Sequence, residues 1–154
     1  MNKDTDSDST VQRSMEPVIL ERFNKKNRLA LEPKERAFKY EGIDIKISLD
    51  GLQDNNGVCC IAEIYARQGA LKPGNTNKIT RDILKMLLFE KLSGKKCEKY
   101  LILADKGLKE KFDGNKSWLR TACAAFDIKI NVVELAEKDI LAIKEAQNRQ
   151  DLTA

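Results

Sequence analysis

Two acidic residues have the types and spacing to do chemistry together. Ile43-Asp44-Ile45-Lys46-Ile47-Ser48-Leu49-Asp50 alternates apolar and polar residues, the period-two pattern of a strand with one face on a core. Val58 to Arg67 is nearly continuously apolar, as a strand covered on both faces would be, and Glu63 interrupts it. Asn56-Gly57 is the preferred pair for a two-residue type I′ turn, so the two strands should form an antiparallel hairpin. Counting outward from that turn puts Asp50 opposite Glu63, and opposed residues share one side of a sheet with Cβ atoms roughly 4.5–5.5 Å apart. Two anions so placed, one of them flanked by Ile61, Ala62, Ile64 and Tyr65, need a balancing charge. A hard cation, Mg²⁺ (or Mn²⁺), suits them, because Mg²⁺ takes one or two carboxylates and completes its shell with water and phosphate oxygens. The plainer alternative has Asp50 ending its strand and Glu63 paired with a nearby lysine or arginine. A bulge at Gly51 or a longer loop would also shift the register and part the two acids.

Positive charge is at hand. Lys78, Arg81 and Lys85 fall at i, i+3 and i+7 and form a stripe on the helix expected after the glutamate strand. Arg67, Lys72 and Lys95-Lys96 add to it, as a surface that tracks phosphates requires. Asp82 lies within the stripe and can pair with Lys78 or Lys85, in which case the stripe is simply a solvated helix face. The whole chain carries 28 Lys and Arg against 24 Asp and Glu, a formal charge of +4. It has no histidine. That excludes Ser-His-Asp and Cys-His triads, Cys/His zinc fingers and HExxH metalloproteases, and leaves carboxylates as the natural metal ligands.

The elements that must hold these residues follow from periodicity. At 154 residues and 42% hydrophobic content the chain has the makings of one packed domain. Residues 1–10, rich in Ser, Thr and Asp, read as a disordered acidic tail, and 11–154 as the single domain. A helix is expected over Val11–Asn24, with Pro17 against it, and a connection from Lys25 past Pro33. After the hairpin, a Gly/Pro/Asn loop over Gly69–Asn77 leads to a helix from Thr76 to Leu92, with Gly94 as its stop. Tyr100–Ala104 and Ile128–Leu135 read as strands, Ser117–Phe126 and Glu137–Arg149 as helices. This order implies an α/β fold: a central mixed β-sheet containing an antiparallel hairpin, flanked by helices on both faces.

No apolar stretch approaches the roughly 18–20 residues of a membrane span, and the N-terminus lacks a basic-then-apolar leader pattern. A cytoplasmic protein with no membrane association is expected. Cys59, Cys60, Cys97 and Cys123 show no CxxC spacing, and adjacent strand residues point to opposite faces, so reduced core thiols are favoured over a disulfide or a metal role.

Leu49-Asp50-Gly51, Glu63-Ile64-Tyr65-Ala66-Arg67-Gln68-Gly69 and Lys78-Ile79 through Asp82-Ile83-Leu84-Lys85 together resemble the PD-(D/E)XK nuclease superfamily, in particular its small bacterial members. Ser117-Trp118 and Ala146-Gln147-Asn148-Arg149-Gln150 also fit, so the likeness covers most of the chain after the first helix. It implies a restriction-endonuclease-like fold and Mg²⁺-dependent hydrolysis of DNA, as an endonuclease or the nuclease subunit of a bacterial defence or repair system. It gives Asp50 and Glu63 the metal-binding roles and asks for a lysine near the metal. The usual lysine two residues after the glutamate is Tyr65 here, so Lys78 is the candidate catalytic amine and Lys72 the second. Glu16 or Glu21 would add an outer metal contact, as first-helix acids do in some relatives. Arg67, Lys72, Lys78, Arg81 and Lys85 would contact nucleic acid. Cutting both strands of a duplex would favour a homodimer.

Two functions therefore compete: a metal-dependent endodeoxyribonuclease, and a catalytically inactive module on the same fold that binds nucleic acid or a protein partner, which the tyrosine favours. A domain for small phosphorylated ligands is the weakest reading, since Gly69–Gly74 matches neither the Walker A nor the dinucleotide pattern.

Overall fold

A computed structural model describes residues 5–69, 73–114 and 118–153. The elements run α1 (Thr5–Asn27), β1 (Glu32–Tyr40), β2 (Ile43–Asn55), β3 (Val58–Tyr65), α2 (Pro73–Ser93), β4 (Glu98–Leu103), α3 (Lys106–Gly114), α4 (Trp118–Ala125), β5 (Ile128–Val132) and α5 (Glu137–Thr153). The five strands form one mixed sheet in the order β1-β2-β3-β4-β5. The β1–β2 and β2–β3 pairings are antiparallel, and β3–β4 and β4–β5 are parallel.

Alternation along β3 divides the interior in two. Cys59, Ile61 and Tyr65 pack with Ile79, Ile83, Met86 and Phe89 of α2 and with apolar residues of α3 and α4. Cys60, Ala62 and Ile64 pack with Ile19, Leu20 and Phe23 of α1 and Ile143 of α5 on the other face. The chain is thus α/β with helices on both faces, and Asn56 and Gly57 both take positive φ, 51° and 78°, as a type I′ turn demands. Gly94, at φ 69°, ends α2 just past its last turn, and Pro73 opens that helix at a position where a missing N–H is harmless.

Several elements depart from the sequence reading. β1 occupies what reads as a connection: it is an edge strand, largely exposed, with only Arg36 and Phe38 partly buried, so it lacks the apolar alternation that marks a strand. α3 also escapes notice, its apolar content being Leu108 and Phe112, one turn apart, among charges and glycines. α1 begins at Thr5, so the helix takes in part of the segment that composition marks as a tail. No described helix is long and apolar enough to cross a membrane.

Candidate active site

The site forms where β2 leaves β3. Pairing follows the register counted from the turn through Asn55–Val58 to Gly51–Ala62 and is not continued beyond it. Against β1, Leu49 and Leu52 face Lys34 and Glu32, so β2 carries one extra residue at Asp50-Gly51, a β-bulge. The bulge displaces β2 relative to β1, and the β2–β3 pairs counted from the turn end one step short of Asp50 and Glu63. In place of a ladder carbonyl, Asp50 Oδ2 accepts the Ile64 amide at 2.8 Å.

Glu63 belongs to the β3 face that packs on α2, and it is 2% exposed. Lys85 Nζ of α2 lies 2.8 Å from its Oε1. The approach is a charge contact outside hydrogen-bonding angles, and Oε1 is left without an aligned donor. Burial, then a hydrogen bond with Asp50 and the charge of Asp50, push the Glu63 carboxyl up to about 9, against the pull of Lys85. Near neutral pH Glu63 therefore keeps its proton.

Two further acids surround it. Gly51 leaves room for Leu31, beyond α1, and for the end of the α1 side chain Leu20: a Cβ there would lie 3.1 Å from Leu31 Cβ and 3.2 Å from Leu20 Cδ1. One turn earlier on α1, Glu16 borders a 110 Å³ cavity shared with Arg13, Asp50 and Ile64. Burial and the neighbouring Asp50 charge raise the Glu16 carboxyl to about 7, while Lys78 and Arg13 oppose them. On α2, Asp82 is buried with Oδ2 unpartnered, its carboxyl raised by burial and held down by Lys78 and Lys85. Glu21 is exposed farther along α1.

The basic candidates fare differently. Lys85, expected among the nucleic-acid contacts, is the amine on Glu63. Lys78, expected as the catalytic amine, sits with Nζ 5.6 Å from the Tyr65 ring centroid and is felt by Glu16 and Asp82. Arg81 is exposed and lines a 510 Å³ cleft with Lys46, Ser48, Asp82 and Lys85. Arg67 is half-buried close to Tyr65. Lys72 lies outside the described residues. Sequence reasoning gave Asp82 only the role of a lysine's partner. The overlooked signal is helical spacing, since Lys78, Asp82 and Lys85 alternate with the core residues Ile79, Ile83 and Met86.

Among the described residues no three Asp, Glu, Cys or His side chains already stand at ligand spacing. Asp50 lies near enough to raise the Glu63 carboxyl, with Glu16 and Asp82 within reach of the Asp50 charge. That donor set suits a cation that needs two carboxylates and otherwise keeps water, and such a cation would have to displace the Lys85 ammonium now 2.8 Å from Glu63 Oε1. A roomier cleft of 610 Å³ lies elsewhere, bordered by Arg22, Lys26, Lys106 and Lys109 at the end of β5. Its lining holds one acid, Glu134, and lacks the paired carboxylates that mark the β2–β3 site. Comparison with protein families, with curated proteins and with solved structures finds no match.

Proposed function

We propose that this protein hydrolyses DNA phosphodiester bonds with Mg²⁺ or Mn²⁺ held by Asp50 and Glu63, on a restriction-endonuclease-like domain. The observation that carries the reading is a 2%-exposed Glu63 with Lys85 Nζ 2.8 Å away and its carboxyl raised by burial and by Asp50. A buried acid that keeps its proton because ionising beside another acid is costly gains a partner when a divalent cation takes that proton's place.

When bound, such a cation polarises a phosphoryl oxygen and lowers the pKa of water. The chain's own groups do the rest. Asp50 is fixed in direction by the Ile64 amide, so its free oxygen is aimed before substrate arrives. Lys85, fixed by Glu63, places an ammonium where negative charge grows on the phosphate. The adjoining cleft offers Lys46, Arg81 and Lys85 to the backbone of the nucleic acid, and its mixed walls suit a flexible polyanion. Lys78 stands one layer away over Tyr65, close enough to Glu16 and Asp82 to steady their charge. Cleavage of both strands of a duplex calls for a second copy of the chain.

The test is direct. Purified protein is incubated with plasmid DNA and Mg²⁺ or Mn²⁺, beside Asp50→Ala and Glu63→Ala. Nicking or linearisation by the parent protein alone is expected, and equal cutting by all three sinks the assignment.

Tyr65 supports a second reading, a module that binds nucleic acid or a protein partner without cutting. The tyrosine takes the place of the expected lysine and holds the Lys78 amine against its ring. On this reading the acids bind no metal. Calorimetric titration with Mn²⁺ separates the two, because micromolar binding abolished by Glu63→Ala contradicts the inactive module.

A further inference from the structure

Away from the acids, at the opposite end of β3, two buried thiols meet. Cys59 Sγ and Cys97 Sγ are 2.6 Å apart, and each residue is 4% exposed. A covalent S–S bond is about 2.03–2.05 Å, so the sulfurs need move only about half an ångström to reach it. The backbone accounts for the approach. β3 and β4 pair in parallel from Cys60–Glu98 onward, so Cys59 and Cys97 are the neighbours one step before the first recorded pair. Neighbouring strands run roughly 4.7–4.9 Å apart, within the 4.4–6.8 Å Cα range of disulfides. The other two thiols are placed differently. Cys60 turns to the opposite face, toward Glu98, and Cys123 lies on α4.

We propose that Cys59 and Cys97 are an oxidation site whose disulfide braces the β3–α2–β4 crossover. The covalent loop would contain Glu63 and the whole of α2, with Lys78, Asp82 and Lys85. The inference rests on sulfur and strand geometry and stands whether or not the acids cut DNA.

The oxidant is a low-molecular-weight disulfide such as oxidised glutathione. Cys97 is the better first nucleophile. Burial raises both thiols; the hydrogen bond between them opposes the rise at Cys97 and adds to it at Cys59, which is pushed up to about 12. Cys97 loses its proton to solvent and attacks the glutathione disulfide, forming a mixed disulfide and releasing one glutathione thiolate. Cys59 then gives up its proton, attacks the Cys97 sulfur and expels the second glutathione. Two protein thiols and one glutathione disulfide yield one protein disulfide and two glutathione thiols.

The experiment exposes the folded full chain to a glutathione redox buffer, quenches in acid, unfolds it, alkylates the remaining thiols and maps the peptides. A Cys59–Cys97 crosslinked peptide, two daltons lighter than the reduced pair, is expected, with Cys60 and Cys123 alkylated. Oxidation should raise Tm by roughly 5–15 °C in the parent and leave Cys97→Ser unchanged. Circular dichroism of Cys97→Ser checks that it folds, and the parent's peptide map decides the pairing regardless of that variant. Both thiols alkylatable after oxidation, a bridge to Cys60 or Cys123, or an equal Tm rise in Cys97→Ser overturns the proposal.

Discussion

Lys85 Nζ approaches Glu63 Oε1 to 2.8 Å, yet the glutamate is 2% exposed while the lysine keeps about a third of its side-chain surface. The ammonium thus reaches from solvent to the mouth of a dry acidic site, occupying space that a metal ion would contest. Lys85→Met should therefore bind Mn²⁺ as tightly as the parent or more tightly, since a competing cation is gone. Under the proposed activity it should cut DNA at least ~100-fold more slowly, because the charge facing the phosphate is lost. Paired calorimetry and plasmid cleavage check this, and weaker Mn²⁺ binding by the variant contradicts it.

Replacing Asp50 separates its structural duty from its chemical one. Asn keeps an oxygen for the Ile64 amide, so Asp50→Asn should remain within about 1 kcal/mol of the parent in urea unfolding. Asp50→Ala strands that amide and should cost about 1–3 kcal/mol. Both variants should lose Mn²⁺ binding. An Asn variant as unstable as the Ala variant would show that the 2.8 Å hydrogen bond does not hold the strand.

Gly51 sets the distance between α1 and the sheet. With Leu31 Cβ 3.1 Å and Leu20 Cδ1 3.2 Å from an added Cβ, Gly51→Ala should crowd Leu20 and the segment after α1, and is expected to ease α1 and Glu16 away from Asp50. A loss of about 1–3 kcal/mol is expected. The Glu16 carboxyl, relieved of its acidic neighbour, should titrate closer to an ordinary glutamate. Carboxyl-resolved NMR titration reads that shift, and an unmoved Glu16 counts against the packing described.

How far the sequence reveals this arrangement depends on how local the signal is. Alternation over Ile43–Asp50 and the Asn56-Gly57 turn locate the hairpin and its register as far as Gly51–Ala62, because a type I′ turn fixes register by itself. The strand on the outer edge is silent because it buries little: β1 puts Pro33, Lys34 and Glu35 into solvent and only Arg36 and Phe38 part-way inside. The bulge at Asp50-Gly51 is a relationship with β1 and cannot be read without it. The identity of the amine at Glu63 was also hidden. Spacing puts Lys78 and Lys85 on one helix face two turns apart, and only the packed structure shows that Lys85 reaches the glutamate while Lys78 lies over Tyr65. The thiol contact, too, depends on the parallel pairing of β3 with β4, two strands separated in sequence by a full helix.

Glu63 makes stability depend on pH in a direction opposite to that of most paired carboxylates. Its folded pKa is raised, from an unfolded value of 4.5 to about 9, so the native state holds a proton that the unfolded state has released. Over that window the native state binds more protons, and unfolding free energy falls as pH rises from about 4.5 toward 9, levelling beyond. Glu63→Gln, which cannot ionise, should remove most of this slope. It should be more stable than the parent at pH 8 by about 1–3 kcal/mol and close to it at pH 4.5. Mn²⁺ links to the same proton. A cation binding the carboxylates at pH 7 must displace the Glu63 proton, and part of that on Glu16, which titrates about 7. Calorimetry in buffers of different ionisation enthalpy should report about one to two protons released per Mn²⁺ at pH 7, and fewer as the pH approaches 9. Binding without proton release would place the cation elsewhere than on Glu63.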